Sequence, residues 1–163
     1  MQFGLTNKEL FDGGILIVLV GPPGSGKSTI AKSIKEQYMN FEIICPDDIR
    51  KEITGDPKDQ TKNTEVFNKV YSRLSYFLNE GYNVVYDATN CRSPYRYRVL
   101  DACKNTAKKV ICIMVTTPIR ECLERNRTRC ENHVPEDVIE NMYFSLKKHP
   151  PTIFEGYDAI FKA

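Results

Sequence analysis

Short apolar runs alternate along this chain with longer stretches whose apolar residues recur every three or four positions. Residues 15–20 are continuously apolar and flanked by glycines, which predicts a strand buried on both faces of a parallel sheet. Similar runs at 41–45, 83–87, 109–115 and 157–161 predict four more strands. Helices are predicted from about 26 to 38, 46 to 54, 61 to 79, 93 to 105 and 117 to 126, with a last one starting at 135–137. In the longest, Phe67, Val70, Tyr71, Leu74 and Leu78 share one face and Gly81 fits the stop. Ser93-Pro94 reads as a cap and first helical position, and Val138, Met142 and Leu146 mark the inner face of the last helix. Such alternation argues an α/β fold: a parallel five-stranded sheet with helices on both faces. Residues 1–13 form a leader whose Phe3, Leu5, Leu10 and Phe11 suit docking on the body. Residues 127–133 are polar and basic without periodicity and read as a mobile loop.

Composition narrows the picture modestly. A chain of 163 residues fits one domain with one good core. A net charge of +2 neither demands nor excludes nucleic acid, because the local distribution matters more than the sum. No apolar run is long enough to span a bilayer, and the N-terminal residues lack the regions of a signal peptide. The cysteines at 45, 91, 103, 112, 122 and 130 show no zinc-ligand spacing, which favours reduced thiols in a cytosolic protein.

The strongest chemical signal follows the first strand. Gly21, Pro22, Pro23, Gly24, Ser25, Gly26, Lys27, Ser28 and Thr29 fill G-x-x-x-x-G-K-[ST] at every fixed position. In this pattern backbone N–H groups converge on phosphate oxygens, the lysine reaches the β- and γ-phosphates, and the serine hydroxyl ligates Mg²⁺. The following helix turns its positive end to the same phosphates. ATP and Mg²⁺ are therefore the expected ligands.

Three further clusters bear on what happens to the γ-phosphate. Asp47 and Asp48 follow the second strand, at the sheet edge where open α/β folds bind ligands. A carboxylate there either accepts a proton from an attacking hydroxyl or serves as an ordinary helix cap. Arg50 shares that helical turn and suits a phosphate or the acceptor. Asp87 ends the third strand, where a Mg²⁺–water ligand or acceptor-binding group belongs, and Thr89 and Asn90 follow it in what is otherwise a polar turn. Arg120, Arg125, Arg127 and Arg129 lie on a helix end and loop, able to close over ATP or simply to face solvent. Arg92, Arg96 and Arg98, with Tyr95 and Tyr97 between them, are either an ordinary charged helix surface or contacts for phosphates and bases of a strand. His133 and His149 have no evident partner and read as structural or exposed.

Taken in order, the phosphate loop, Asp47-Asp48-Ile-Arg50, Asp87-Ala-Thr89-Asn90, and Arg125-Asn126 with Arg129 and Val134-Pro135 resemble the kinase domain of phage polynucleotide 5′-hydroxyl kinase and related bacterial P-loop kinases. The resemblance covers about residues 14–148. It implies a single P-loop kinase domain over 1–163 with a short lid at 127–134, acting in the cytoplasm of a bacterial or phage-infected cell. It implies transfer of the ATP γ-phosphate to the 5′-hydroxyl of DNA or RNA. By the same resemblance Asp47 is the general base, Arg50, Asp87, Thr89 and Asn90 bind the acceptor, Arg129 is the lid arginine on the ATP phosphates, and Arg125 sits at the adenine or lid base. The phage enzyme's 3′-phosphatase domain has no counterpart in this chain, the phage Asp-Thr-Asn is replaced by Asp87-Ala-Thr-Asn90, and residues 55–60 form a distinct connection on the acceptor side. Two alternatives remain at this stage: a small-molecule kinase acting on a nucleoside, sugar or antibiotic hydroxyl, and a nucleotide-binding switch.

Overall fold

The computed structural model describes residues 6–38, 40–129 and 133–163. The expectations for Phe3, Leu5, Cys130, lid residues 131 and 132 and the side chain of Phe11 lie outside the described residues. Five strands, β1 (Ile15–Val20), β2 (Phe41–Ile44), β3 (Asn83–Tyr86), β4 (Lys109–Met114) and β5 (Ala159–Lys162), form one sheet in the order β2-β3-β1-β4-β5. Every pairing is parallel. The helices are α1 (Asn7–Asp12), α2 (Lys27–Gln37), α3 (Pro46–Thr54), α4 (Asn63–Asn79), α5 (Ser93–Cys103), α6 (Ile119–Arg127) and α7 (Glu136–Lys148).

β1 is central, and its side chains alternate between two cores. Leu16, Val18 and Val20 join a cluster with Val66, Val70, Leu74 and Leu78 of α4 and Val99, Leu100 and Cys103 of α5. Ile15, Ile17 and Leu19 join the opposite cluster with Ala31 and Ile34 of α2. A strand covered on both faces needs apolar residues at every position, which is why the run at 15–20 is unbroken. The buried stripe of α4 begins at Val66, spaced by four from Val70, Leu74 and Leu78, and Phe67 lies at its margin. In α7 the fully buried position is Ile139 and Val138 is half-buried.

The leader docks as a capped helical turn. Glu9 N–H donates to Thr6 Oγ1 at 3.2 Å while Thr6 N–H donates to Glu9 Oε2 at 2.8 Å, a reciprocal capping box. Leu10 packs on the α2-side core. Asn83 then ties the segment to the sheet, its Nδ2 donating to Leu10 O and its Oδ1 accepting from Ile15 N–H. At Gly13 (φ +66°) a Cβ would lie 1.8 Å from Gly81 O, so the end of the leader fits against the stop of α4 only without a side chain at Gly13.

Two features depart from the pattern read along the chain. β5 starts at Ala159 because the Asp158 carboxylate takes the Val110 N–H at 2.6 Å. A 3₁₀ turn at Ile153–Glu155 brings Glu155 against Arg96. That arginine is a correction: it is fully buried and does not face a bound strand. Its Nε and Nη2 donate to the Glu155 carboxylate, both at 2.6 Å. Nη1 donates to Asn90 O and Cys91 O, and Nη2 also to His149 O. With every donor satisfied, the pair is a strut, and removing one partner of such a buried pair costs about 3–5 kcal/mol. Arg92, Tyr95, Tyr97 and Arg98 remain exposed.

Candidate functional site

The site forms at the carboxyl ends of β1, β2 and β3, where the loops leave the sheet. β1 runs into the phosphate loop, which turns into α2. At Gly24 (φ +81°) a Cβ would lie 2.3 Å from Cys122 O of α6, so loop and helix touch backbone to backbone. Ser25 N–H donates to Pro22 O, and Thr117 Oγ1 donates to Ser25 O at 2.8 Å. Among the described residues no side chain caps α2, so its first N–H groups stand ready for an anion.

Lys27 is only 8% exposed. Its Nζ donates to Pro22 O at 2.9 Å and to Ser25 Oγ at 3.5 Å. Burial pushes this ammonium below the usual lysine range, and the Asp87 carboxylate opposes the shift. Asp87 follows β3, its N–H donating to Ile44 O. Gly21 N–H donates to Thr89 O at 2.9 Å, which joins the phosphate loop to the loop after β3.

These segments enclose a cleft of about 870 Å³. The phosphate loop and α2 contribute Pro23, Lys27, Ser28, Ala31 and Lys32; β2 and its exit contribute Ile43, Cys45, Asp47 and Asp48. Pro57, Lys58 and Gln60 come from the connection after α3, and Asp87, Ala88 and Thr89 from the exit of β3. Arg129, His133, Val134 and Pro135 close the remaining side. Lys27, Ser28, Asp47, Asp87, Thr89 and Arg129, drawn from positions 27 to 129 of the sequence, thus line one space.

Other residues singled out in the sequence lie elsewhere. Arg50 sits behind Asp47 and is 5% exposed. Its Nη1 donates to Asp47 Oδ1 and to Pro57 O, and its Nη2 to Asn63 Oδ1. Its Nε has no hydrogen-bond partner among the described residues. Asn90 does not point into the crevice: its Nδ2 donates to Leu19 O at 2.8 Å, and the residue adopts φ +49°. Arg125 flanks the phosphate loop, its Nη1 3.4 Å from Gly24 O and its Nη2 paired with Glu121.

An arginine only donates, and this polarity propagates. Asn63 must turn its oxygen to Arg50, so its Nδ2 donates to Gln60 Oε1 at 2.7 Å. With its oxygen so engaged, Gln60, which lines the cleft with Lys58, keeps its amide NH₂ as a donor. Sequence reasoning missed Lys32 and His133 as cleft residues. Lys32 stands one turn after Ser28 on α2, a spacing that would have found it; His133, read as structural or exposed, carries no comparable signal. Burial pushes the Cys45 thiol up to about 11, so at neutral pH it is a protonated, half-buried wall of the cleft.

Oxygen donors beside a phosphate site suit Mg²⁺, which is commonly held by one or two protein oxygens plus nucleotide phosphates and water. Ser28 and Asp87 offer such oxygens in this cleft. No helix among the described residues is long and apolar enough to cross a membrane.

Comparison with known proteins agrees with this geometry. No curated protein matches the sequence. Among solved structures, a chain of the Pnkp1/Rnl/Hen1 RNA repair complex superposes with a TM-score of 0.77 at 24% identity, over 83% of this chain and 45% of that one. A second structure of the Pnkp1/Rnl/Hen1 complex gives 0.65 at 25% identity, over 76% of this chain and 41% of that one. This chain therefore spans less than half the length of either. A putative kinase from Chloroflexus aurantiacus gives 0.71 at 15% identity, over 93% and 85% of the two chains. The fold is that of the P-loop kinases, and the resemblance to the kinase domain of polynucleotide kinase extends to the three-dimensional structure. Nucleotide binding and a kinase-like phosphotransferase architecture follow from that fold. Residues 16–149 match the AAA domain family, and with the match covering most of its length the chain belongs to that family.

Proposed function

We propose that the chain is an ATP-dependent polynucleotide 5′-hydroxyl kinase, a single domain with residues 127–134 as its lid. The observation that carries this reading is the pairing within one cleft of a phosphate loop, an exposed carboxylate at Asp47 and an acceptor wall of donors, Lys58 and Gln60. Donors suit an anionic acceptor such as a nucleic-acid strand better than a neutral sugar. Arg50, behind Asp47, holds that carboxylate at the cleft through its Nη1.

In the proposed reaction the acceptor oxygen attacks the γ-phosphorus in line; the new O–P bond forms as the bond to the β-phosphate oxygen breaks, and ADP leaves. Asp47 takes the hydroxyl proton. Lys27 exchanges the neutral Pro22 carbonyl for a charged phosphate oxygen, and with Arg129 offsets charge on the transferring group. Ser28 would hold Mg²⁺, which when bound would supply charge neutralisation at the phosphates. Asp87 and Thr89 line the acceptor floor, Asn90 fixes that floor from below, and Arg125 borders the nucleotide. The free thiols at Cys45, Cys91, Cys103, Cys112 and Cys122 suit a reducing compartment such as the cytoplasm.

The test is phosphate transfer from γ-labelled ATP to 5′-hydroxyl DNA and RNA oligonucleotides, alongside nucleosides and sugars. Wild type should label the oligonucleotides, and Asp47→Asn should lose about 10²–10⁴-fold in transfer while keeping ATP affinity. Label on a small neutral acceptor alone would make the protein a small-molecule kinase. Free phosphate alone, with partner binding that differs between ATP and ADP forms, would make it a switch. Equal losses of affinity and turnover in Asp47→Asn would reduce Asp47 to a structural partner of Arg50.

A further inference from the structure

Asn126, near the end of α6, stands at the base of the segment that carries Arg129. It is fully buried although wholly polar. Its Nδ2 donates to Val134 O at 2.8 Å, and its Oδ1 accepts from Val134 N–H at 3.0 Å. The carboxamide thus pairs with both backbone groups of one residue, as a neighbouring strand would. Its own carbonyl accepts from Arg129 N–H at 3.2 Å. One residue therefore holds both limbs of the segment, at 129 and at 134. Both limbs line the cleft.

Arg129 itself is exposed, so packing does not aim its side chain. What fixes the start of that side chain is its backbone, which leaves α6 three residues after Asn126, and the Asn126 side chain anchors that base to Val134. The nearby Arg127–Glu136 pair, at 2.6 Å and 3.0 Å, also joins the two limbs, but it is solvent-exposed and such pairs contribute little. Burial with complete pairing gives Asn126 the stronger hold, because either orphaned Val134 group would be costly.

We propose that Asn126 is a positioning residue for Arg129: its side-chain clip on Val134 fixes the base from which the Arg129 guanidinium reaches into the cleft. This rests on the reading of Arg129 as the group that offsets charge on the transferring phosphoryl. The clip then acts on turnover through Arg129 and has little effect on ATP affinity.

A double-mutant cycle tests it, with kcat for transfer to a 5′-hydroxyl oligonucleotide, ATP Kd and thermal melts measured on the full chain. Arg129→Ala should lower kcat by about 10³-fold. Asn126→Ala should lower kcat by roughly 10- to 100-fold, the scale of a displacement near 1 Å. In the Arg129→Ala background the same change should alter kcat by less than about twofold, since its target is gone. Asn126→Asp keeps the shape and the acceptor for Val134 N–H but loses the donor. It should show the same non-additivity and serves if the alanine variant melts early. An equal fold-loss from the Asn126 changes in both backgrounds would overturn the proposal and leave Asn126 a residue of general stability. An unchanged kcat in Arg129→Ala alone would overturn both this proposal and the role of Arg129.

Discussion

The two walls of the cleft are built by different physics. The phosphate wall is set by backbone: a buried strand, a tight turn against α6 at Gly24, and the free N–H groups of α2. The opposite wall, the proposed acceptor side, is set by side chains reaching across segments, from Arg50 to Asn63 and from Asn63 to Gln60. Backbone geometry tolerates almost no added atom but is indifferent to most side-chain chemistry. A side-chain relay tolerates added atoms but is polarised by its first member. The phosphate wall should therefore fail abruptly under small steric changes, and the acceptor wall gradually under chemical ones.

The sharpest way to break this contrast is Gly24→Ala. Its new Cβ meets Cys122 O and an unfavourable φ; strain of about 1–3 kcal/mol, if it falls on binding, is a roughly 5- to 150-fold loss of ATP affinity. Isothermal titration with ATP measures it, and an unchanged Kd would show the backbone contact to be slack. Lys58→Ala should be milder and confined to the other wall. We expect about a tenfold rise in oligonucleotide KM and a salt slope shallower by about one, with ATP KM unchanged; a change in both KM values would mean that the walls are not separable.

The smallest effect concerns Cys45. Its thiol, pushed up to about 11 by burial, stays protonated at pH 7. Below 11 each unit of pH raises the thiolate fraction, and so the rate of iodoacetamide labelling, about tenfold. Oligonucleotide should slow that labelling more than ATP does, with Cys45→Ser as the control by mass spectrometry. Fast labelling at pH 7 would mean that the thiol is not shielded.

The same contrast explains what was readable from the sequence. The phosphate loop was legible in full because its geometry is local, encoded in glycine spacing within nine residues. β1 was legible because burial on two faces leaves no polar position. The acceptor side was only partly legible. Asp47 and Asp87 stood out at strand ends, but the turning of Asn90 toward Leu19 and the relay through Asn63 depend on distant partners. Arg96 was misplaced because it was read with its charged neighbours Arg92 and Arg98. Its spacing to Val99, Leu100 and Cys103, all buried, puts it instead on the inner stripe of α5. That inward position could be seen in the sequence; its partner Glu155 could not.

That pairing also has a temporal side. Glu155 follows Arg96 by 59 residues, which a ribosome adds in roughly 3–12 s. Throughout that interval the guanidinium lacks its carboxylate, and the exit of β3, which it holds through Asn90 O and Cys91 O, lacks its final brace. The phosphate loop is translated earlier, although its seat against α6 at Gly24 and its bond from Thr117 also wait for residues 117–122. The floor of the cleft must wait for a turn translated 59 residues after Arg96, so the brace on the exit of β3 arrives well after the strands it supports.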